Sequence, residues 1–462
     1  LYKALCKLGA CPGIYIPDRF SEGYGLNENA VRKIAETGYS LMITVDTGIS
    51  AKKEVSIANQ LGLDVIVTDH HEPPEEIPEA FAVINPKQRD GSYPTPFLAG
   101  VGVTLKLIQA LTEEEPSSEN LAIAALGTIA DIVPLRGENR LIAYKGLKAL
   151  AETENPGIRA MLKVAGLEGK ELVSDHVGFI LGPCLNAAGR LDHAKHGVLT
   201  LLEKDLEKAK IRAKKLDDLN KERQDIVEKI FNKALQQAYE NKSEFAIVVA
   251  GEDWHEGVIG IVASRLVEHF YRPAIVLSIN PKTGIAKGSA RSIEKFNLYQ
   301  GLTECKDLLL KYGGHEMAAG MSLLKENINI FREKMNQVAS QIPEEDLWPK
   351  LHIDLSLNIN QINLELLEEI QKLAPFGTGN PEPLFAIQNT DIYDIKRVGT
   401  GDHIKFRFDQ MGNSLDGIAF RWGDKIETLP VFDPVDVVGK LVINEWNGLK
   451  RPQILVEDIK TS

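Results

Sequence analysis

Two short apolar runs, Leu41–Val45 (LMITV) and Leu63–Thr68 (LDVIVT), flank a helical stretch, and each ends abruptly in charged residues. Short strands that alternate with helices pair in parallel, because a helical crossover brings the chain back to the same end of the sheet. This pattern predicts an α/β fold built on a parallel sheet, with Phe81–Ile84 (FAVI) as a further strand. Ligands of open parallel sheets gather beyond the carboxyl ends of the strands. Asp46 ends the first run, and Asp69, His70 and His71 end the second, so neighbouring strands would aim both groups into one crevice. Asp131 adds a carboxylate within the apolar run Gly127–Leu135 (GTIADIVPL), a setting that is costly unless the charge is paired or metal-bound.

Carboxylates suit Mg²⁺ and Mn²⁺, and imidazole tilts the choice toward Mn²⁺. Two such ions about 4 Å apart activate a water and clamp a phosphoryl oxygen. Taken singly, each residue is equally a cap, a turn or a solvated strand end. Adjacent histidines at one strand end beside an aspartate at another favour the ligand set.

Four regions separate by pattern. Residues 1–201 alternate strand and helix, opening with a helix tail at Leu1–Leu8, a break at Pro12–Gly13 and a strand at Gly13–Ile16. That opening reads as the second half of a βαβ unit, so the chain is expected to be a fragment. Residues 202–241 are charged and helical without Gly or Pro. They form either a bridge between domains or an amphipathic helix packed on one of them. Residues 242–342 form a smaller α/β unit, with strands at Phe245–Ala250, Ala274–Ile279 and Met317–Leu323 and helices at Val258–His269 and Leu298–Lys311. Residues 350–462 turn to short strands after one helix (Leu364–Leu373), the pattern of a small β-barrel such as an OB-fold. In His403–Phe408, Ile404, Phe406 and Phe408 share one face, and His403, Lys405 and Arg407 share the other.

At 462 residues with 44% hydrophobic content, two to four domains are expected. Neither a membrane-spanning apolar run nor a signal peptide is evident. Cys6, Cys11, Cys184 and Cys305 form no CxxC pair, and a reducing cytoplasm is the default. The net charge of −12 argues against nucleic acid when taken alone, but carboxylates that bind divalent ions reverse the local sign.

The segments VDTG (Val45–Gly48), DHH (Asp69–His71) and GTIADIVPL resemble three successive motifs of the DHH phosphoesterases. Seven more segments narrow the resemblance to the RecJ exonucleases over nearly the whole chain. They are Ile16–Asn27, Leu98–Leu107, Gly182–Ala194, Trp254–Leu266, Gly288–Arg291, Gly313–His315 and Pro375–Phe385. The resemblance implies a DHH domain, a DHHA1-type domain and an OB-fold. It implies 5′-to-3′ degradation of single-stranded DNA to nucleoside monophosphates with Mn²⁺ or Mg²⁺, in DNA repair and recombination, alongside single-strand-binding protein and a helicase. Asp46 would bridge two metals, His70 and Asp131 would bind the second, His71 would face the scissile phosphate, and Asp69 would support the histidines from behind. Two departures stand out. The family's Asp-x-Asp-x-Asp-Gly turn is absent, so weak metal binding and little turnover are expected of this polypeptide. Cys184 stands where arginine is usual, which removes one expected phosphate contact.

For the nucleic acid, Arg19 offers a guanidinium for a terminal phosphate or for a surface ion pair. Gly23 and Gly25 around Tyr24 allow a tight turn. The resemblance adds Asn186 and Arg190. Ser289 and Arg291 share a strand face, and Gly313–Gly314 would cap the preceding helix and project His315. Lys405 and Arg407 lie on the barrel's polar face. Trp422 and Trp446 are possible stacking platforms, whereas Phe406, Phe408 and Phe420 are expected in the core. Two rival readings remain: another DHH enzyme acting on short or cyclic oligonucleotides or on pyrophosphate, and an inactive DNA-binding scaffold.

Overall fold

Leu41–Val45 (β1), Asp64–Thr68 (β2) and Ala82–Ile84 (β3) pair in parallel in the order β1-β2-β3, and the helix Lys52–Gln60 carries the first crossover. Met42, Val65 and Val67 pack with Val31, Val55, Ala58 and Leu63, which sets the inward face of the sheet. The pairing Val45↔Thr68 brings the carboxyl ends of β1 and β2 level. This is a computed structural model, and it describes residues 1–19, 21–23, 25–89, 91–241, 244–430 and 433–462. Tyr24, and Lys242–Ser243 at the expected start of the third unit, lie outside the described residues.

The strand expected at Gly13–Ile16 is not formed. The segment runs without a ladder partner among the described residues, its Ile14 and Tyr15 are exposed, and the Tyr15 hydroxyl donates to Glu22. A strand needs a neighbour as well as an apolar run, and among the described residues none pairs with this segment.

Beyond β3, the helices Ser118–Ala130, Gly137–Ala151, Pro156–Val164 and Gly182–Leu191 build a helical layer around Leu126, Leu147, Leu150, Ile158 and Leu181, and the helix Gly100–Thr112 packs on Ala124 and Ile142 of that layer through Val103 and Leu105. Gly146 sits where two of these helices cross: a β-carbon there would fall 2.4 Å from the Leu121 carbonyl oxygen. The helix Leu206–Glu240 is 35 residues long and is N-capped by Asp205. Its Ala209, Ala213 and Leu216 belong to this helical core. Its Val227, Ile230, Phe231, Ala234 and Ala238 belong to a different core, shared with Ile247, Val249, Val262 and Leu266. The helix therefore contributes side chains to two cores.

The third unit is a five-stranded sheet of Ile247–Glu252 (β4), Ala274–Ile279 (β5), Ile285–Arg291 (β6), Leu309–Gly314 (β7) and Ala318–Leu324 (β8), ordered β4-β5-β6-β8-β7. β4 and β5 run parallel around the helix Ile259–Phe270, and the remaining pairs are antiparallel. The helix expected over Leu298–Lys311 stops at Glu304, and Leu309–Gly314 is an edge strand. Gly313 and Gly314 therefore pair with Gly320 and Ala319 instead of capping a helix, and His315 lies in the turn that follows. Long-range pairing of Leu309 with Leu323 and of Tyr312 with Met321 overrides the local helical preference.

Leu355–Ser356 (β9), Phe385–Val398 (β10), His403–Gln410 (β11), Asn413–Ala419 (β12), Val435–Trp446 (β13) and Leu449–Thr461 (β14) form the last sheet. A β10–β11 pairing closes five of them into a barrel. Ile404, Phe406, Phe408, Leu415, Val437 and Ile454 fill it. Phe420 is not in this core but 54% exposed. Alternation along β12 turns Leu415, Gly417 and Ala419 inward, so the next side chain points out, against the edge of the His403 ring. Among the described residues no helix is long and apolar enough to cross a membrane.

Gly146→Val should lower stability by about 3 kcal/mol, since the Leu121 carbonyl cannot withdraw without breaking its helix. Thermal unfolding checks this, and an unchanged melting temperature would contradict the close crossing.

Candidate metal centre

Asp69 leaves the end of β2 almost fully buried, 1% exposed. Its Oδ2 accepts the Ile49 N–H at 2.9 Å. Its Oδ1 accepts the N–H groups of His70 at 2.8 Å and His71 at 3.2 Å, and lies 2.7 Å from His71 Nδ1. Burial alone would raise this carboxyl's pKa, but the His71 ring and the backbone donors of Ile49, His71 and His70 outweigh it and bring it down to about 2. Asp69 is thus an anion beneath the site at neutral pH. Its hydrogen bond raises the pKa of His71 against the opposing effect of burial, and the charges of Asp69, Asp46 and Asp131 add to the rise. With Nδ1 engaged, the other nitrogen of this exposed ring is left for chemistry.

Asp46 follows β1 in the left-handed region, at φ 61°. The first turn of the helix Gly100–Thr112 passes so close that a β-carbon on Gly100 would lie 2.4 Å from Asp46 Oδ1, so only glycine fits. His70 Nε2 lies 3.0 Å from Asp46 Oδ1 and 3.4 Å from Asp131 Oδ2. Asp131 arrives from a third element, as the C-cap of the helix Ser118–Ala130. Burial first, then repulsion from Asp46, raise its pKa, while His70, His71 and Lys87 oppose the rise. Ligand atoms of Asp46, His70 and His71 all lie within 4.8 Å of one another. Two carboxylates converging on one imidazole nitrogen are a donor set suited to a hard or borderline divalent cation, so these residues fit Mn²⁺ or Mg²⁺.

The other expected residues fall into separate places. Arg19 lies in a turn, half-buried, and the chain just beyond it nears the Asp46 loop: a β-carbon on Gly25 would sit 3.1 Å from Thr47 Oγ1. Asn186 is exposed on the helix Gly182–Leu191. Arg190, one turn on, donates from Nη1 to the Gly257 carbonyl of the third unit at 3.1 Å. Arg291 Nη1 donates to Ser289 Oγ at 3.2 Å and to Ala290 O at 2.8 Å, and burial lowers the guanidinium's pKa. Gly260, in the first turn of the helix Ile259–Phe270, closes over this pair, with its β-carbon position 2.9 Å from Ser289 Oγ. Gly313, Gly314 and His315 are exposed at the end of β7. Lys405 and Arg407 stand on the barrel's outer face, and Arg407 is paired with Asp416 at 3.2 Å. Trp446 is exposed, and Trp422 is half-buried with the Lys425 ammonium 4.3 Å from its ring centroid. Cys184 lines a cavity of about 140 Å³ with Leu216, Asp217 and Asn220 of the long helix. Gly100, Gly260 and the Ile49 N–H were not singled out from the sequence. The one available signal was glycine near the start of a helix.

Asp69→Asn should lower the His71 pKa to about 6.5 or below, read by NMR titration of the metal-free protein. The pair also stabilises the fold. Asp69 contributes above about pH 4 and loses its contribution as pH falls through about 2. His71, raised, contributes below about pH 6.5 and loses its contribution as pH rises through its folded pKa. The stability difference between parent and variant should therefore be greatest between about pH 4 and 6.5. A difference independent of pH would rule out this pairing.

Comparison with known proteins identifies the family. Models for the DHH family N-terminal domain, the DHHA1 domain and the RecJ OB domain match residues 1–129, 242–341 and 353–458. The single-stranded-DNA-specific exonuclease RecJ of Bacillus subtilis is 46% identical over 99% of this chain, which spans 58% of that protein. Its Haemophilus influenzae counterpart is 37% identical over 99% of this chain and 84% of its own length. The crystal structure of Thermus thermophilus RecJ with Mn²⁺ superposes with a TM-score of 0.86 at 31% identity, covering 100% of this chain and 66% of that one. A structure of exonuclease RecJ bound to manganese gives 0.64 at 34% identity, over 74% of this chain and 86% of that one. The chain belongs to the RecJ family of single-stranded-DNA-specific exonucleases.

Proposed function

We propose that this chain carries the hydrolytic and strand-guiding parts of a 5′-to-3′ exonuclease that degrades single-stranded DNA to nucleoside monophosphates. The observation that carries this reading is the convergence of Asp46, His70 and Asp131 beside a His71 ring held by the buried Asp69. Asp46, His70 and Asp131 would hold Mn²⁺ or Mg²⁺, the ions found with relatives of known structure. When bound, the metal supplies an activated water and neutralises charge on the phosphodiester.

The protein's own groups do the rest. Asp69 fixes the His71 ring, so that an imidazole of raised pKa can donate a proton or a hydrogen bond to a phosphoryl or leaving oxygen. Arg190, Ser289 and Arg291 lie where the first and third units meet around Gly257 and Gly260, a setting for backbone phosphates, with Asn186 on the same helix as Arg190. Arg19 serves the terminal phosphate, and Gly313–His315 extend the contact along the edge strand. Lys405, Arg407 and Trp446 guide the strand without reading sequence. We assign metal chemistry to residues 1–201, the bridge to 202–241, phosphate contacts to 242–342 and strand guidance to 350–462. The barrel supports a long single strand over a dinucleotide as substrate. Action in the cytoplasm, in repair and recombination beside single-strand-binding protein and a helicase, follows from this reading.

With millimolar Mn²⁺, 5′-phosphorylated single strands should be shortened from the 5′ end and duplex should not. Turnover by these 462 residues should be slow, because the sequence holds no Asp-x-Asp-x-Asp-Gly turn. His71→Ala should lower the rate at least about 100-fold. Equal degradation of duplex, or an undiminished rate in the variant, would defeat the proposal.

A further inference from the structure

We propose that the loop Leu373–Asn380, which leads into the C-terminal barrel, clamps the turn that presents Asp131, making Arg136 and Arg140 positioning residues for the metal centre. This rests on the metal-centre reading above. The turn needs a clamp. Ile132, next to Asp131, is a β-branched residue at φ 60° and is 71% exposed, so packing of its own side chain does not hold it there. A β-branched residue in the left-handed region persists only where its surroundings over-determine it.

The surroundings come largely from the other end of the chain. The Leu135 N–H donates to the Thr378 carbonyl at 2.7 Å. Arg136 Nε donates to the Gly379 carbonyl at 2.7 Å, and Arg140 Nη2 donates to the Leu373 carbonyl at 2.7 Å. Two glycines admit the loop: a β-carbon on Gly377 would lie 2.8 Å from Leu135 Cδ1, and one on Gly379 would lie 3.0 Å from Pro134 Cβ. The loop is itself rigid. Gly377 and Asn380 exchange backbone hydrogen bonds, and Asn380 Nδ2 donates to the carbonyls of Leu373 and Pro375, both at 2.9 Å. On the near side, Asn139 Nδ2 holds the Pro134 carbonyl at 3.0 Å. The chain from Pro134 to Arg136 is therefore gripped from both sides, and through the short link of Ile132 and Val133 that grip fixes where Asp131 stands. The C-terminal unit thus serves the metal site even when no strand lies on the barrel.

The test compares the full chain with Arg136→Ala/Arg140→Ala and, separately, Asn380→Ala, which loosens the loop without touching the first unit. Hydrogen exchange should show loss of protection at Leu135 in both variants, while the helix Gly137–Ala151 stays protected. Mn²⁺ affinity, read by calorimetry or by the resonance of the free ion, should fall about tenfold, the lower end of what loss of an outer support costs a metal site. Arg140→Lys, which keeps one donor for the Leu373 carbonyl, should retain most of the affinity. Unchanged protection at Leu135 overturns the clamp, as does lost protection with unchanged Mn²⁺ affinity. A parent chain that binds no Mn²⁺, with Leu135 protection lost as expected in the variants, overturns instead the metal-centre reading and with it the positioning role.

Discussion

The N–H of Asp46 donates to the carbonyl of Thr68, and the N–H of Asp69 donates to that of Ile84. These two bonds continue the parallel ladders past the ends of β1 and β2, and they fix the level at which the two segments leave the sheet. A slip of one residue would turn each side chain to the opposite face. Register is held by burial of Met42, Val65 and Val67, so the placement of the ligands depends on the apolar core behind them. Asp69 then converts position into orientation. By accepting the N–H groups of Ile49, His70 and His71 and the His71 ring at once, it fixes the backbone at both histidines and the imidazole of His71.

Much of this was legible where the signal is local. LMITV and LDVIVT announce strands by length and composition, and Ile404, Phe406 and Phe408 announce one by strict alternation. Applied one residue further along β12, the same alternation would have placed Phe420 outside. What is not local was not legible. Gly13–Ile16 is the more apolar of two segments, yet it finds no ladder among the described residues, whereas Leu309–Gly314 pairs with Ala318–Leu324. Asp46, His70 and His71 could be named from their chemistry at the ends of apolar runs, and Asp131 from its charge within one. Gly100 and Gly260 could not, because their meaning is the atom that a β-carbon would strike, and that atom belongs to an element distant in sequence.

The long helix joins two separate cores. Its N-terminal half is built into the layer behind Asp131, and its C-terminal half is built into the sheet that carries Ser289 and Arg291. On the outer face of this helix, Lys214, Asp217, Asp218 and Lys221 form i,i+3 and i,i+4 pairs, while Leu216 and Leu219 pack inward on the first core. Arg190 reaching Gly257 spans the same gap from the side.

The net charge of −12 then has a physical reading. Exposed ion pairs neutralise each other locally and say little about any one surface. The carboxylates that matter are Asp46 and Asp131, which face a common point with no guanidinium or ammonium within ion-pair distance among the described residues. As they stand they repel a phosphate. A divalent cation between them inverts that sign. Affinity for the cation and affinity for a phosphodiester at this point are therefore positively linked, since each ligand lowers the electrostatic cost of the other. Under the proposed function, a strand bound away from this point, on the barrel or around Arg291, would escape that linkage. An acidic chain can in this way hold a polyanion along its length while reserving the point of hydrolysis for the metal-loaded state.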